Sequence, residues 1–253
     1  MKNSLMRACS YCVLLLFFAC QPAATDREIA FAGAGGVTLK GSVLKGGAHP
    51  FFAVLVAGSG PTDRNWSSPL MGTVSHAGRE FARWLQARGI GSLRYDKRFI
   101  GVNDPGMDVG FAAQTGDIRA AVAHARTLPE AAGKKILLVG HSEGTMMALA
   151  ARTDADAVLL LAPPAKPMGP LVRDQLAGQL AKSGADEATT RANLAHLDAV
   201  YTAIREGKTT PPPAGPGVAP GVAQLGVSLM AGQTLAFVRD TFDLDHWPLA
   251  AAF

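Results

Sequence analysis

The chain has 253 residues, 48% hydrophobic and 17% charged, which is enough apolar side chain for a sizeable core and excludes disorder throughout. Its formal charge is +4, but two of the 24 basic residues, Lys2 and Arg7, fall in a leader; the remaining 22 face 20 acidic residues, a balance of +2 with no basic cluster for nucleic acid. The six histidines are scattered and all three cysteines (Cys9, Cys12, Cys20) lie in the leader, so no metal ion, cofactor or disulfide is expected in the mature chain.

Residues 1–20 read as a targeting segment. Lys2 and Arg7 supply its positive start, and the apolar stretch 11–19 is too short to cross a bilayer as a helix. It ends Phe17-Phe18-Ala19-Cys20, and a small residue directly before Cys resembles a bacterial lipoprotein cleavage site, although Phe17 stands where an aliphatic is usual. Two routes are open: lipidation of Cys20, or ordinary signal cleavage near Ala23-Ala24. Either predicts an exported bacterial protein, periplasmic or membrane-anchored.

Past the leader, residues 28–31 and 37–44 read as two strands around the Gly-rich turn 33–36. The unbroken apolar run 51–56 fits a strand buried on both faces. Residues 74–88 have helical spacing, with Phe81, Trp84 and Leu85 on one face and Gly89 as the stop. A strand over 90–95, an Ala-rich helix over 116–128 ended by Pro129, and strands over 135–139 and 157–161 follow. Strands alternating with helices of this length predict an α/β fold with a mostly parallel sheet and helices on both faces. Beyond Pro164 the spacing predicts helices over 171–184, 186–206 and 224–240, with a Pro/Gly-rich loop at 211–220. One domain over 26–253 is expected, with 165–240 as a helical lid or insert.

Residues 140–144, Gly-His-Ser-Glu-Gly, join the strand 135–139 to a helical run from Thr145. A Gly-x-Ser-x-Gly in that position reads as a nucleophile elbow, a turn so tight that the serine is strained and its hydroxyl exposed. Ser142 is the candidate nucleophile. Two further blocks stand after the preceding strands: Val56-Ala57-Gly58-Ser59-Gly60-Pro61-Thr62-Asp63-Arg64 and Leu93-Arg94-Tyr95-Asp96-Lys97-Arg98. With the elbow, they make residues 28–165 resemble the α/β-hydrolase superfamily, specifically exported bacterial esterases akin to the serine aminopeptidase-like hydrolases. The resemblance implies attack by Ser142 on a small or medium acyl ester, with an oxyanion hole built from the amides of Glu143 and Ser59. His141 is excluded as the base, because adjacent side chains diverge at such a turn. The charges of Asp63, Arg64, Asp96, Lys97 and Arg98 are expected to brace the surrounding loops. Phe99 departs from the family, which usually has Gly there.

A fold of this kind supplies its acid and then its base after the serine. No strand followed by a turn with Asp or His is legible after residue 161, so the chain reads as truncated before the seventh and eighth strands. Asp243, Asp245 and His246 cluster in the tail, and His246 is the possible base; His196 falls on a helix of the expected lid. Without a base Ser142 would be a weak nucleophile. Two functions therefore stand side by side: a serine esterase, or an inactive hydrolase-like binding module or gene remnant. The strand 157–161 would become an apolar sheet edge, and poor solubility is expected.

Overall fold

The computed structural model describes residues 25–68, 72, 74–100, 104 and 106–250. The leader, including Cys20 and both cleavage positions considered above, lies outside them. The first half of the chain runs β1 (Arg27–Ala32), β2 (Thr38–Leu44), β3 (Phe51–Val56), α1 (Ala77–Gln86), β4 (Gly91–Tyr95), α2 (Phe111–Thr127), β5 (Lys135–His141), α3 (Gly144–Ala150) and β6 (Ala157–Leu161). The strands form one sheet in the order β1-β2-β4-β3-β5-β6. β1 and β2 are antiparallel to their neighbours, while β4, β3, β5 and β6 run parallel. The expected α/β architecture with helices on both faces is what the chain adopts.

Alternation along β3 explains the two-sided core. Val54 and Val56 point into a cluster with Ile118 and Val122 of α2 and Met147 of α3. Ala53 and Leu55 point the other way, onto Ala82 and Leu85 of α1. A strand sandwiched between helices must be apolar at every position, which is why 51–56 shows no polar alternation. At the far edge, β6 pairs with β5, and no strand pairs with its other side among the described residues. Its residues are partly exposed, Leu159 at 38%.

The second half is helical: α4 (Met168–Lys182), α5 (Glu187–Arg205), α6 (Pro220–Leu229), α7 (Gly232–Thr241) and the short α8 (Trp247–Ala250). Helices α4–α7 share a core of their own, built on Leu176, Leu197, Val200, Ile204, Leu235 and the adjoining Phe242. One expectation fails here. The single helix expected over 224–240 is two, α6 and α7, set at 88° to each other. Met230 is buried at 3% exposure, and Ala231 takes an extended conformation just before Gly232, a residue that disfavours helix, opens α7. No single helix among the described residues is long and apolar enough to cross a membrane.

Candidate active site

β5 delivers the chain to the C-terminal edge of the sheet, where open α/β folds place their ligands. There Ser142 adopts the left-handed region at φ 51°, a conformation that costs an ordinary L-residue about 1–2 kcal/mol. The turn is held on both sides of the serine. Its N–H donates to the Leu161 carbonyl at the end of β6 (2.9 Å), and its own carbonyl accepts from Thr145 N–H (2.9 Å) and Thr145 Oγ1 (2.6 Å). Gly144 permits the tightness: a Cβ there would run into the Ala57 carbonyl, so α3 could not start so close to the end of β3. Ser142 itself stays half-exposed, whereas Glu143 and the next six residues are buried.

The loop after β3 lies against this turn. A Cβ built on Gly58 would sit 3.2 Å from the Ser142 Cβ and 3.1 Å from His141 Nδ1. Gly58 is buried and Ser59 exposed. The backbone N–H groups of Ser59 and Glu143 donate to no protein atom among the described residues. Glu143 follows Ser142 directly, and Ser59 follows Gly58, the residue packed against the serine turn.

Three cations secure the loops, each in its own way. Arg64 grips both oxygens of Asp96 (3.1 and 2.7 Å) and also reaches Glu28, the Gly41 carbonyl and Ser42 Oγ. Arg98 forms a bidentate pair with Asp117 of α2 (2.7 Å to each oxygen), with both partners buried. Lys97, equally buried, donates to the Gly58 carbonyl at 2.6 Å and approaches Glu143 Oε1 at 3.4 Å. Burial pushes the Lys97 ammonium below the ordinary lysine value, against the pull of Glu143. Asp63 joins none of these pairs; its Oδ1 accepts from Asn65 N–H and Ser67 N–H within its own loop.

A sequence profile of the alpha/beta hydrolase family matches residues 53–252, more than half of the chain. The chain belongs to the alpha/beta hydrolase family. It is similar to Esterase EstD of Thermotoga maritima, 35% identical over 135 residues that cover 51% of this chain and 31% of that protein. The chain thus spans about a third of the length of the curated relative it matches. Among solved structures it is similar to the alpha/beta hydrolase GrgF from Penicillium sp. sh18, at 24% identity over 63% of this chain and 53% of that one, TM-score 0.47. It is also similar to the Pyrococcus furiosus esterase Pf2001, at 19% identity over 56% of this chain and 52% of that one, TM-score 0.44.

Among the described residues of this alpha/beta hydrolase family member, no histidine side chain hydrogen-bonds Ser142. His246 is fully buried, with Nε2 3.0 Å from the Pro164 carbonyl and no partner on Nδ1. The acidic residues that flank it in sequence diverge from it. Asp243 is chelated by Arg205 (2.9 and 2.8 Å), and Asp245 accepts from Trp247 N–H at the start of α8 (3.1 Å). The three tail residues thus each have a contact of their own, and Nδ1 of His246 is left without a hydrogen-bond partner. His141 stacks on Trp66 with ring centroids 4.8 Å apart, and burial lowers its pKa. His196 is buried in the helical core near Gly226, and His124 stacks on Phe31. Among the described residues no side chain hydrogen-bonds Ser142 Oγ, and no three His, Cys, Asp or Glu residues group as metal ligands. Phe99 is partly buried beside the Lys97-Arg98 pair. The double contact of Lys97 was not legible in sequence, because the triplet Asp96-Lys97-Arg98 announces charge but not which partner each member takes.

Proposed function

We propose that this chain is an exported esterase that works through an acyl-serine at Ser142. The observation that carries this reading is the left-handed serine between β5 and α3, with the open amides of Ser59 and Glu143 next to it. In this reading Ser142 Oγ adds to the carbonyl carbon of a small or medium acyl ester, and the two amides receive the resulting oxyanion. The carbon–oxygen bond to the alcohol then breaks, the alcohol leaves with a proton, and water releases the acid from the serine. Helices α4–α7 act as the lid over this edge, within one domain spanning 26–253. Processing of the leader, by lipidation at Cys20 or by cleavage near Ala23, places the protein outside the cytoplasm.

A second reading has its own support. The proton on Ser142 Oγ needs an acceptor, and no described side chain bonds that oxygen, while His246 is engaged with Pro164. This favours a hydrolase-like binding protein that keeps the pocket without the chemistry. A fluorophosphonate probe separates the two. Labelling of the wild-type chain that vanishes in Ser142→Ala is the outcome expected of an esterase. An unlabelled chain that still unfolds cooperatively in urea would end that reading in favour of the binding protein.

A further inference from the structure

A buried lysine needs a reason. Met or Leu would fill the volume without the cost of desolvating an ammonium, and the loops here are already braced by the Arg64–Asp96 and Arg98–Asp117 pairs. Lys97 lies in a site only 7% exposed, and its closest partner is a neutral carbonyl, that of Gly58, at 2.6 Å. That carbonyl belongs to the same planar peptide unit as the Ser59 N–H. Fixing the oxygen therefore fixes the direction of the N–H. A charged donor on the oxygen also draws electron density from the amide and strengthens its N–H as a donor. The second contact of Lys97, Glu143 Oε1 at 3.4 Å, belongs to the residue whose own amide is the other open donor beside Ser142.

We propose that Lys97 is a positioning residue for oxyanion stabilisation, orienting and polarising the Gly58–Ser59 peptide and tying it to Glu143 at the start of α3. The inference rests on the esterase reading. It assigns the lysine a role in the transition state and none in holding the ground-state ester. Removing a whole oxyanion donor costs about 10²–10³ in kcat, so weakening one is expected to cost about tenfold or somewhat more.

The test compares the full wild-type chain with Lys97→Met on a p-nitrophenyl ester, alongside fluorophosphonate labelling of both. The expected result is a kcat about tenfold lower in Lys97→Met, with KM unchanged within twofold and cooperative unfolding retained. The wild type should also lose kcat at alkaline pH, below the ordinary lysine range, as the ammonium deprotonates; Lys97→Met should lack that limb. Glu143 on α3 faces this lysine directly, and Tyr95, Arg98 and Asp117 line the same cavity. Tyr95 is pushed to a higher pKa by burial and so does not titrate in that window. A labelled wild type whose kcat is matched by Lys97→Met overturns this inference alone. A wild type that takes no label overturns the esterase reading and the inference together. Should Lys97→Met fail to fold, the wild type decides, because a rate of labelling that does not fall at alkaline pH overturns the role given to the ammonium.

Discussion

β3 and α5 both bury apolar side chains, yet they meet their surroundings differently. In β3, residues 52–56 are all buried, with alternate side chains on opposite faces of the sheet, so the strand is fixed from both sides at once. In α5, Leu197, Val200, Tyr201 and Ile204 are buried, while Glu187 and Arg191 face solvent. The strand has no free side, whereas the helix has one. A defect in the sheet half therefore reaches the elbow through β3 and β5, whereas a defect in the helical half falls first on its own cluster and meets the sheet side through Phe237, which packs on Phe111 of α2.

Breaking Asp117 is the harshest trial of that comparison. Its carboxylate holds Arg98 through two bonds and also accepts from Ala34 N–H (2.9 Å). Asp117→Ala leaves a buried guanidinium unpaired and is expected to cost about 3–5 kcal/mol, lowering the urea midpoint of the whole chain. Leu197→Ala, at a site with 0% exposure in the helical core, is expected to cost about 2–4 kcal/mol. There hydrogen exchange should show α4–α7 opening first while the amides of β3 and β5 stay protected. Loss of protection in both halves together would erase the distinction. The smallest effect has the opposite sign. Ser142→Gly removes a side chain from the left-handed region and should stabilise the fold by about 1 kcal/mol, read as a higher thermal midpoint.

Much of the sheet half was legible because its rules are local. The run 51–56 can only be a strand covered on both faces, and Gly140 and Gly144 around Ser142 mark a turn where backbones nearly touch. The open amides of Ser59 and Glu143 follow from the same two blocks of sequence. The rest depended on partners distant along the chain. Nothing near residues 96–98 tells Arg98 to choose Asp117, or Lys97 to choose a carbonyl. The partners of the tail were hidden for the same reason, since Asp243, Asp245 and His246 are neighbours in sequence but bond to Arg205, Trp247 and Pro164. The split of 224–240 falls at Met230-Ala231-Gly232, where the glycine is a breaker signal that the apolar spacing on either side of it masked.

The hydrogen bond from Ser142 N–H to the Leu161 carbonyl gives the serine an unusual clock. Leu161 ends β6, one of the two edge strands of the sheet among the described residues. Edge strands fray more readily than central ones, so solvent exchange at the Ser142 amide keeps time with the fraying of β6 and runs ahead of the amides of β3. Whatever pairs with the outer side of β6 would slow that clock, and the stiffness of the serine turn would rise with it.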